Sequence, residues 1–379
     1  MIYADHNATS ALRPEARAAM LEAMELGANP SSVHGPGRAA RKIMERARAQ
    51  IGAAIGSAGK DLVFTSGGTE SNRLAIAGAL GQLSRSSDSA PIFLFARIEH
   101  SAVLEQLPAA DGALEVATNP DGKISLEHLR MRLEEARASG RKPVLTLMLA
   151  NNETGVIQPV SEAAALVREF DGLVHCDAVQ ALGKIQVNTK LLGVDYLALS
   201  GHKCGGPSGI GALWIRPGAP LMPLHKGGGQ ERSLRSGTEN LSGIAGFGAA
   251  AEVSTGNLRE FARLAGIRDE MEAKLKPHGV TIFGESSDRL SNTSCFALPG
   301  FKSETQVMAM DLAGVAISAG AACSSGKVKA SGVLQAMGAG DELASSAIRV
   351  SFGWNTGAQD GAVIAEKWVA AASRRPGVR

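Results

Sequence analysis

Residues 61–80 read DLVFTSGGTESNRLAIAGAL, and this unit decides the class of fold. A short apolar run ends in two adjacent glycines, and a helical pattern follows them at once. Four to six apolar residues bounded by a glycine turn describe a buried strand, and the glycines let the backbone swing directly into the helix. The change of period recurs along the chain. PIFLFA (91–96), PVLTLMLA (143–150), GLVHCDA (172–178), VDYLALS (194–200) and IGALWIR (210–216) are apolar nearly throughout, and helical patterns separate several of them. Strands that do not alternate between polar and apolar residues are covered on both faces. The pattern predicts an α/β domain built on a mostly parallel central sheet.

Residues 14–27 and 37–56 predict helices before this unit, the first with Pro14 in its opening turn and Gly27 at its end. After about residue 245 a long helical stretch (245–276) leads into VTIFG, SNTSCFAL, ETQVMAMDLAGVAIS and a last helix near 358–372. A second, smaller α/β unit is expected there. The predicted division is a large domain over 12–245 and a small domain made of 1–11 and 246–379.

The 379 residues are 44% hydrophobic and 20% charged, with a net charge of +2. There is no broad basic stripe with interleaved aromatics, so no nucleic-acid partner is expected, and SRRPGVR at the C-terminus reads as a solvated end. No apolar run reaches the roughly 18 residues of a membrane span, and the N-terminus MIYADHNATS lacks the basic start and apolar core of a leader. A cytoplasmic protein without a membrane segment is expected. Cys176, Cys204, Cys295 and Cys323 are widely spaced and form no C-x-x-C pair. Neither a zinc site nor a disulfide framework is indicated, and free thiols are the default.

Ligands of open parallel sheets bind at the carboxyl ends of the strands, so the residues following each apolar run carry the chemistry. Gly68 and Thr69 lie in SGGTESN (66–72), where backbone N–H groups at a helix start and a hydroxyl make either an anion cup or an ordinary tight turn. Asp177 closes LVHCDAVQ with Gln180 three residues on. That pair is either a capping box or a carboxylate placed to meet a cation such as a protonated pyridine nitrogen. Lys203, in SGHKCGGPSG (200–209), is either a surface lysine on a glycine loop or an amine poised to form a Schiff base with an aldehyde cofactor, with Ser200 and His202 beside it as donors. His100 (ARIEHSAV) suits ring stacking, proton transfer or a plain structural role. Asn151 and Asn152 offer amide donors. Arg349 sits in an apolar run, where its guanidinium needs an anion: a substrate carboxylate or a structural partner. In SAGAACSSG (318–326), Cys323 has only small neighbours, a composition that favours an accessible sulfur.

These residues fall in YADHNAT, NPSSVHGPGR, FTSGGTESN, EHSAV, NNETGVIQP, HCDAVQALGK, LSGHKCGGPSGIGAL, GGGQERSLRSGTEN and SAGAACSSG. The set, in this order along nearly the whole chain, resembles the pyridoxal-phosphate-dependent cysteine desulfurases of the NifS/IscS type, within the fold-type-I class V aminotransferases. The resemblance implies that Lys203 carries pyridoxal 5′-phosphate as a Schiff base and later moves the proton at the substrate Cα. Asp177 would pair with the ring nitrogen, Gln180 with the ring hydroxyl, and His100 would stack on the ring and move protons. Gly68, Thr69, Ser200, Gly201 and His202 would hold the phosphate, completed by Thr238 from the neighbouring subunit of a homodimer. Asn152 and Arg349 would bind cofactor and substrate carboxylate. The implied reaction turns L-cysteine into L-alanine and leaves a persulfide on Cys323, for delivery to a sulfur acceptor or iron–sulfur scaffold protein.

A selenocysteine lyase or another class V enzyme shares most of these residues, and a non-catalytic sulfur carrier would need neither Lys203 nor Cys323. His6, Ala321 and Ser208 depart from the commonest residues of the family, and Cys204 beside Lys203 is expected to serve packing. The short stretch after the last predicted helix leaves the docking partner open. The Gly, Ala and Ser around Cys323 predict a segment that can travel.

Overall fold

The structure is a computed structural model that describes residues 1–86, 90–108, 112–320 and 330–374. Its strands, in chain order, are β1 (Ile2–Tyr3), β2 (Leu62–Thr65), β3 (Ile92–Phe95), β4 (Ala113–Glu115), β5 (Pro143–Thr146), β6 (Leu173–Asp177), β7 (Tyr196–Ser200), β8 (Gly211–Ile215), β9 (Thr281–Ile282), β10 (Thr293–Ala297), β11 (Val315–Ala316), β12 (Ser318–Ala319) and β13 (Ala347–Ser351). Seven of them form one sheet in the order β2-β8-β7-β6-β5-β3-β4. The run from β7 to β4 is parallel, and β8 is antiparallel to both its neighbours. The expected mostly parallel α/β sheet is what the chain builds.

Period-2 geometry sends successive side chains to opposite faces, and here both faces are dry. Leu62, Phe64, Leu94, Leu145, Val174 and Cys176 enter one core; Val63, Phe93, Val144, Leu173 and Tyr196 enter another on the opposite face. That double burial is why these strands read as unbroken apolar runs.

Helix Pro14–Leu26 begins on its proline and ends on Gly27 at φ 55°, in the left-handed region that glycine adopts without strain. Helix Gly35–Ala54 starts two residues earlier than expected, because the His34 ring accepts a hydrogen bond from Gly37 N and acts as its cap. Helix Leu241–Gly256 packs along both of these. The expected domain boundary at 245/246 cuts this helix, whose Leu241, Ile244, Phe247 and Ala251 belong to the core of the large sheet. The expected long helix is in fact three, Leu241–Gly256, Leu258–Ala262 and Leu264–Leu275, broken at Asn257 and Arg263.

A separate core collects Ala4 with Phe261, Met271, Phe296, Val350, Phe352 and Trp368. It lies under a four-stranded sheet ordered β12-β13-β10-β9. Trp368 of helix Asp360–Ser373 is fully buried, meets Phe296 edge to face at 5.5 Å, and donates to Gln306 Oε1 at 2.8 Å. The N-terminus joins this side of the molecule: β1 pairs in parallel with β11, and Asp5 bridges Ser351. We propose a division into domains that keeps residues 1–11 with the small unit and moves the second boundary past Gly256.

Candidate active site

A cavity of about 260 Å³ opens at the carboxyl ends of the parallel strands, where the chain crosses from one core to the other. Gly68, Thr69, His100, Asn152, Asp177, Gln180, Ser200, His202, Lys203 and Arg349 all line it. These ten expected site residues come from six separate segments, and the fold brings them together. Gly201 lies just behind, in the turn Gly201–Lys203, where a Cβ would meet Ile210 Cγ2 at 2.9 Å. Thr238 is exposed and does not line this cavity. Cys323 lies outside the described residues, as does the stretch expected to travel with it.

The lysine comes first. Lys203 Nζ donates to the carbonyls of Asn7 at 2.6 Å and Ala8 at 2.8 Å. Burial, reinforced by the Arg349 guanidinium, pushes its ammonium down to about 8, against the opposing pull of Asp5 and Asp177. It is therefore no solvated surface lysine: about a tenth is free amine at pH 7, far more than for an ordinary lysine, and a nucleophilic amine needs that form.

Asp177 is buried at the end of β6. Its Oδ1 accepts from Val179 N at 2.9 Å and its Oδ2 from Asn72 Nδ2 at 2.7 Å. The capping-box alternative is not realised, since Gln180 does not reach back to Asp177. Its Nε2 donates to the Asn7 carbonyl and its Oε1 accepts from Lys184 Nζ. A relay behind Asp177 fixes the geometry. Because Asn72 Nδ2 faces the carboxylate, its Oδ1 faces His175 Nε2 at 3.0 Å, so that nitrogen carries the proton and Nδ1 accepts from Thr146 Oγ1 at 3.1 Å. Burial pushes the His175 imidazole down to about 3, which keeps it neutral, and its two partners fix the tautomer.

The backbone geometry that an anion cup would need is found at the start of helix Gly68–Ser86. The backbone N–H groups of its first turn precede the first intrahelical acceptor, and a Cβ on Gly68 would meet Val179 Cγ2 at 2.7 Å. Glycine is needed there for the close approach. Thr69 has no hydrogen-bond partner in its side chain among the described residues, so its hydroxyl is available. Glu70 turns away, accepting from Ser66 N and pairing with Arg235 at 2.9 Å.

His100 accepts from Ala102 N through Nδ1 at 3.0 Å, capping helix Ser101–Leu104. Its imidazole is pushed down by burial and by Lys203, with Asp177 opposing. The neutral ring then carries its proton on Nε2. His202 pairs with Thr9 Oγ1 at 3.1 Å and is driven down to about 4 by burial and the nearby lysines.

Arg349 lines the cavity and has a structural anion, Asp5, as partner. NH2 pairs with Asp5 at 2.6 Å and NH1 donates to Asn152 O at 2.9 Å, while the buried Nε has no partner. Asp5 in turn accepts from Ser318 Oγ at 2.7 Å. Cys204 packs in the large core and donates its S–H to Gly201 O, as expected. His6 is buried against Tyr3 and Ser10, away from the cavity.

Asp5, Asn7, Asn72, Lys184 and Glu99 were given no role by sequence reasoning. The signal for the first two was present in DHNAT, a polar cluster in a segment otherwise bound for a core. Asn72 stands in SGGTESN, at the strand end where the chemistry is expected. Glu99 precedes His100; its buried carboxyl accepts from Met148 N and is pushed up to about 8 by burial, which keeps it protonated at neutral pH.

The donor set defines what fits. A ligand here must bring an anion to the helix start, a basic ring nitrogen to Asp177 and a carbonyl to Lys203. Pyridoxal 5′-phosphate carries all three on one flat molecule, and the Arg349 guanidinium also lines the cavity. Comparison with known proteins agrees. The Aminotransferase class-V family model matches residues 2–361. A cysteine desulfurase of Cereibacter sphaeroides is 40% identical over 369 residues, covering 94% of this chain and 92% of that protein. A rat selenocysteine lyase is 39% identical, covering 79% and 77% respectively. The crystal structure of a NifS-like protein from Rickettsia africae superposes with a TM-score of 0.89 at 33% identity, covering 98% of this chain and 99% of that one. On sequence, fold and the chemistry of its cavity, the chain belongs to the class-V aminotransferases, a family of pyridoxal-phosphate-dependent enzymes.

Proposed function

We propose that the protein is a cysteine desulfurase that converts L-cysteine to L-alanine and passes the sulfur on as a persulfide of Cys323. The observation that carries this reading is the convergence of Lys203, Asp177, His100 and Arg349 on one cavity. Pyridoxal phosphate, when bound, supplies the carbonyl that condenses with amines and the ring that accepts electrons from the substrate carbon.

The protein's own residues do the rest. Lys203 Nζ, held between two carbonyls and partly unprotonated, is the amine that anchors the cofactor and the base that takes the proton from the substrate Cα. Asp177, fixed by Asn72 and Val179 N, holds the proton on the ring nitrogen. Gly68, Thr69, Ser200, Gly201 and His202 hold the phosphate. The His100 ring would stack on the cofactor and hand over protons through Nε2. Arg349 and Asn152 bind the substrate carboxylate. The Cys323 thiolate attacks the substrate sulfur: an S–S bond forms, the substrate C–S bond breaks, and its electron pair leaves with the carbon skeleton, which takes up a proton to become alanine. Neither an oxidant nor a reductant is consumed.

The reading extends to a homodimer in which Thr238 completes the partner's phosphate cup, to delivery of sulfur for iron–sulfur cluster assembly, and to a cytoplasmic location. Thr238 is exposed on a loop anchored by the Arg235–Glu70 pair to the phosphate-binding helix, which supports a role outside its own cavity. Buried free thiols at Cys176, Cys204 and Cys295 fit a reducing compartment. No helix among the described residues is long and apolar enough to cross a membrane.

Incubation with L-cysteine and separate measurement of alanine and sulfide test the reading. Cys323→Ala is expected to abolish sulfide release under reducing conditions while the yellow cofactor band stays intact. Sulfide release at the wild-type rate from that variant would sink the persulfide mechanism. The likeness to a selenocysteine lyase makes selenocysteine the second substrate to try, and a higher kcat/KM for it than for cysteine would favour that reading.

A further inference from the structure

We infer that Lys184, a buried lysine outside the cavity, is a positioning residue that fixes the amide of Gln180 as a hydrogen-bond donor toward the cofactor's ring oxygen. The inference rests on the pyridoxal-phosphate reading and deepens it.

Lys184 is buried, and its Nζ donates to Gln180 Oε1 at 2.6 Å and to Asn7 Oδ1 at 2.7 Å. Asn7 Oδ1 is an acceptor by necessity, because Asn7 Nδ2 donates to Thr293 Oγ1 at 2.9 Å, and Asn292 Nδ2 donates to the same Oδ1 at 3.1 Å. On its other side, Gln180 Nε2 donates to the Asn7 backbone carbonyl at 2.8 Å, the carbonyl that also accepts from Lys203. An amide can turn end for end, but this one has no second option. Reversed, it would set its oxygen against a carbonyl oxygen and its NH2 against the Lys184 amine.

Gln180 lines the cavity. With its oxygen committed to Lys184, the group it has left for a ligand is the second Nε2 hydrogen. A phenolate oxygen on the cofactor ring needs such a donor and would be repelled by the amide oxygen. Lys184 itself is driven well down by burial, with Lys203 and Arg349 adding to the effect. Its Nζ has a hydrogen for each of its two acceptors, Gln180 Oε1 and Asn7 Oδ1.

The test is equilibrium binding of pyridoxal 5′-phosphate to the full-length apo-protein, read from the visible band, for wild type, Lys184→Met, Gln180→Ala and the double variant. Lys184→Met is expected to raise the dissociation constant about tenfold, the scale of one hydrogen bond to a charged acceptor. The band should shift as it does in Gln180→Ala, and the double variant should be no worse than the worse single one. Additive losses, or wild-type affinity and band in Lys184→Met, would overturn the inference. Gln180→Glu, which leaves Lys184 in place, guards against misfolding of the first variant. It keeps an acceptor for Lys184 but turns a carboxylate oxygen toward the ring, so it should bind more weakly than Gln180→Ala. Wild-type affinity in Gln180→Glu would also refute the inference. Failure of the wild type to bind pyridoxal phosphate at all would instead refute the cofactor reading.

Discussion

Asp5 and Lys203 show how much a single side chain here depends on charges far away in sequence. Arg349 is held by Asp5 through one terminal nitrogen and by the Asn152 carbonyl through the other. Substitution of Asp5 by Asn removes the charge while keeping the shape, so the guanidinium loses its anchor but stays in the cavity. The expected result is a rise of about tenfold in KM for L-cysteine with a smaller change in kcat, measured by steady-state kinetics. A second outcome concerns loading of the cofactor. Lys203 must be unprotonated to attack a carbonyl, and its folded value of about 8 lies below the ordinary lysine value. The loading rate of apo-protein should therefore climb with pH up to about 8 and level off above it. Stopped-flow absorbance across pH 6–10 (roughly the range bracketing both values) would read this, and a climb continuing toward the ordinary lysine value would show that burial and Arg349 do not act as described.

Among the elements, the glycine-rich connection 224–240 is too rich in specific polar residues to be a plain spacer. Glu231 within it is buried and accepts two hydrogen bonds from Arg48, at 2.6 and 2.8 Å, and one from Phe64 N at 2.8 Å. Three successive non-glycine residues, Glu231, Arg232 and Ser233, take φ of 47°, 57° and 64°. Such conformations are costly and persist only where the surroundings impose them. The buried ion pair is the restraint, and it pins the segment that leads to Thr238. Replacing Glu231 by Ala leaves the buried Arg48 guanidinium with Glu45, the Leu62 carbonyl and the face of the Phe64 ring as its partners. A loss of about 3–5 kcal/mol is expected in chemical denaturation, the usual cost of breaking such a pair. A loss below about 1 kcal/mol, the range of exposed pairs, would mean that solvent reaches Arg48 readily.

At the scale of the whole molecule, the site is a seam. The large sheet supplies Lys203, Asp177 and the start of helix Gly68–Ser86; the small unit supplies Arg349, Asn292 and Thr293; and the N-terminal segment crosses between them, with Asn7 bonded to both sides. The proposed dimer extends the seam to a second chain. Mixed subunits of Lys203→Ala and Thr238→Val, each inactive alone, should regain about a quarter of wild-type sites when dissociated and reassociated, because half of the random dimers hold one intact site of two. No recovery in the mixture would place Thr238 outside the partner's site.

The strand-end residues were legible in the sequence because two signals coincide at each: an apolar run too dry to be anything but a covered strand, and a polar residue immediately after it. Local chemistry sufficed for Gly68, Asp177 and Lys203. It also set the α/β class, the helix starts at Pro14 and the αL end at Gly27, since propensity and steric freedom act over a few residues. Which reading of each residue was correct is a tertiary matter. Asp177 with Gln180 satisfies a capping pattern on paper, and only the approach of Asn7 and Lys184 turned Gln180 elsewhere. Asn7 lies 196 residues from Lys203 in sequence and within hydrogen-bond distance of it in space. The lysine's lowered affinity for its proton comes from burial and from Arg349, conditions no local pattern encodes, because desolvation and charge act through the folded volume and not along the chain.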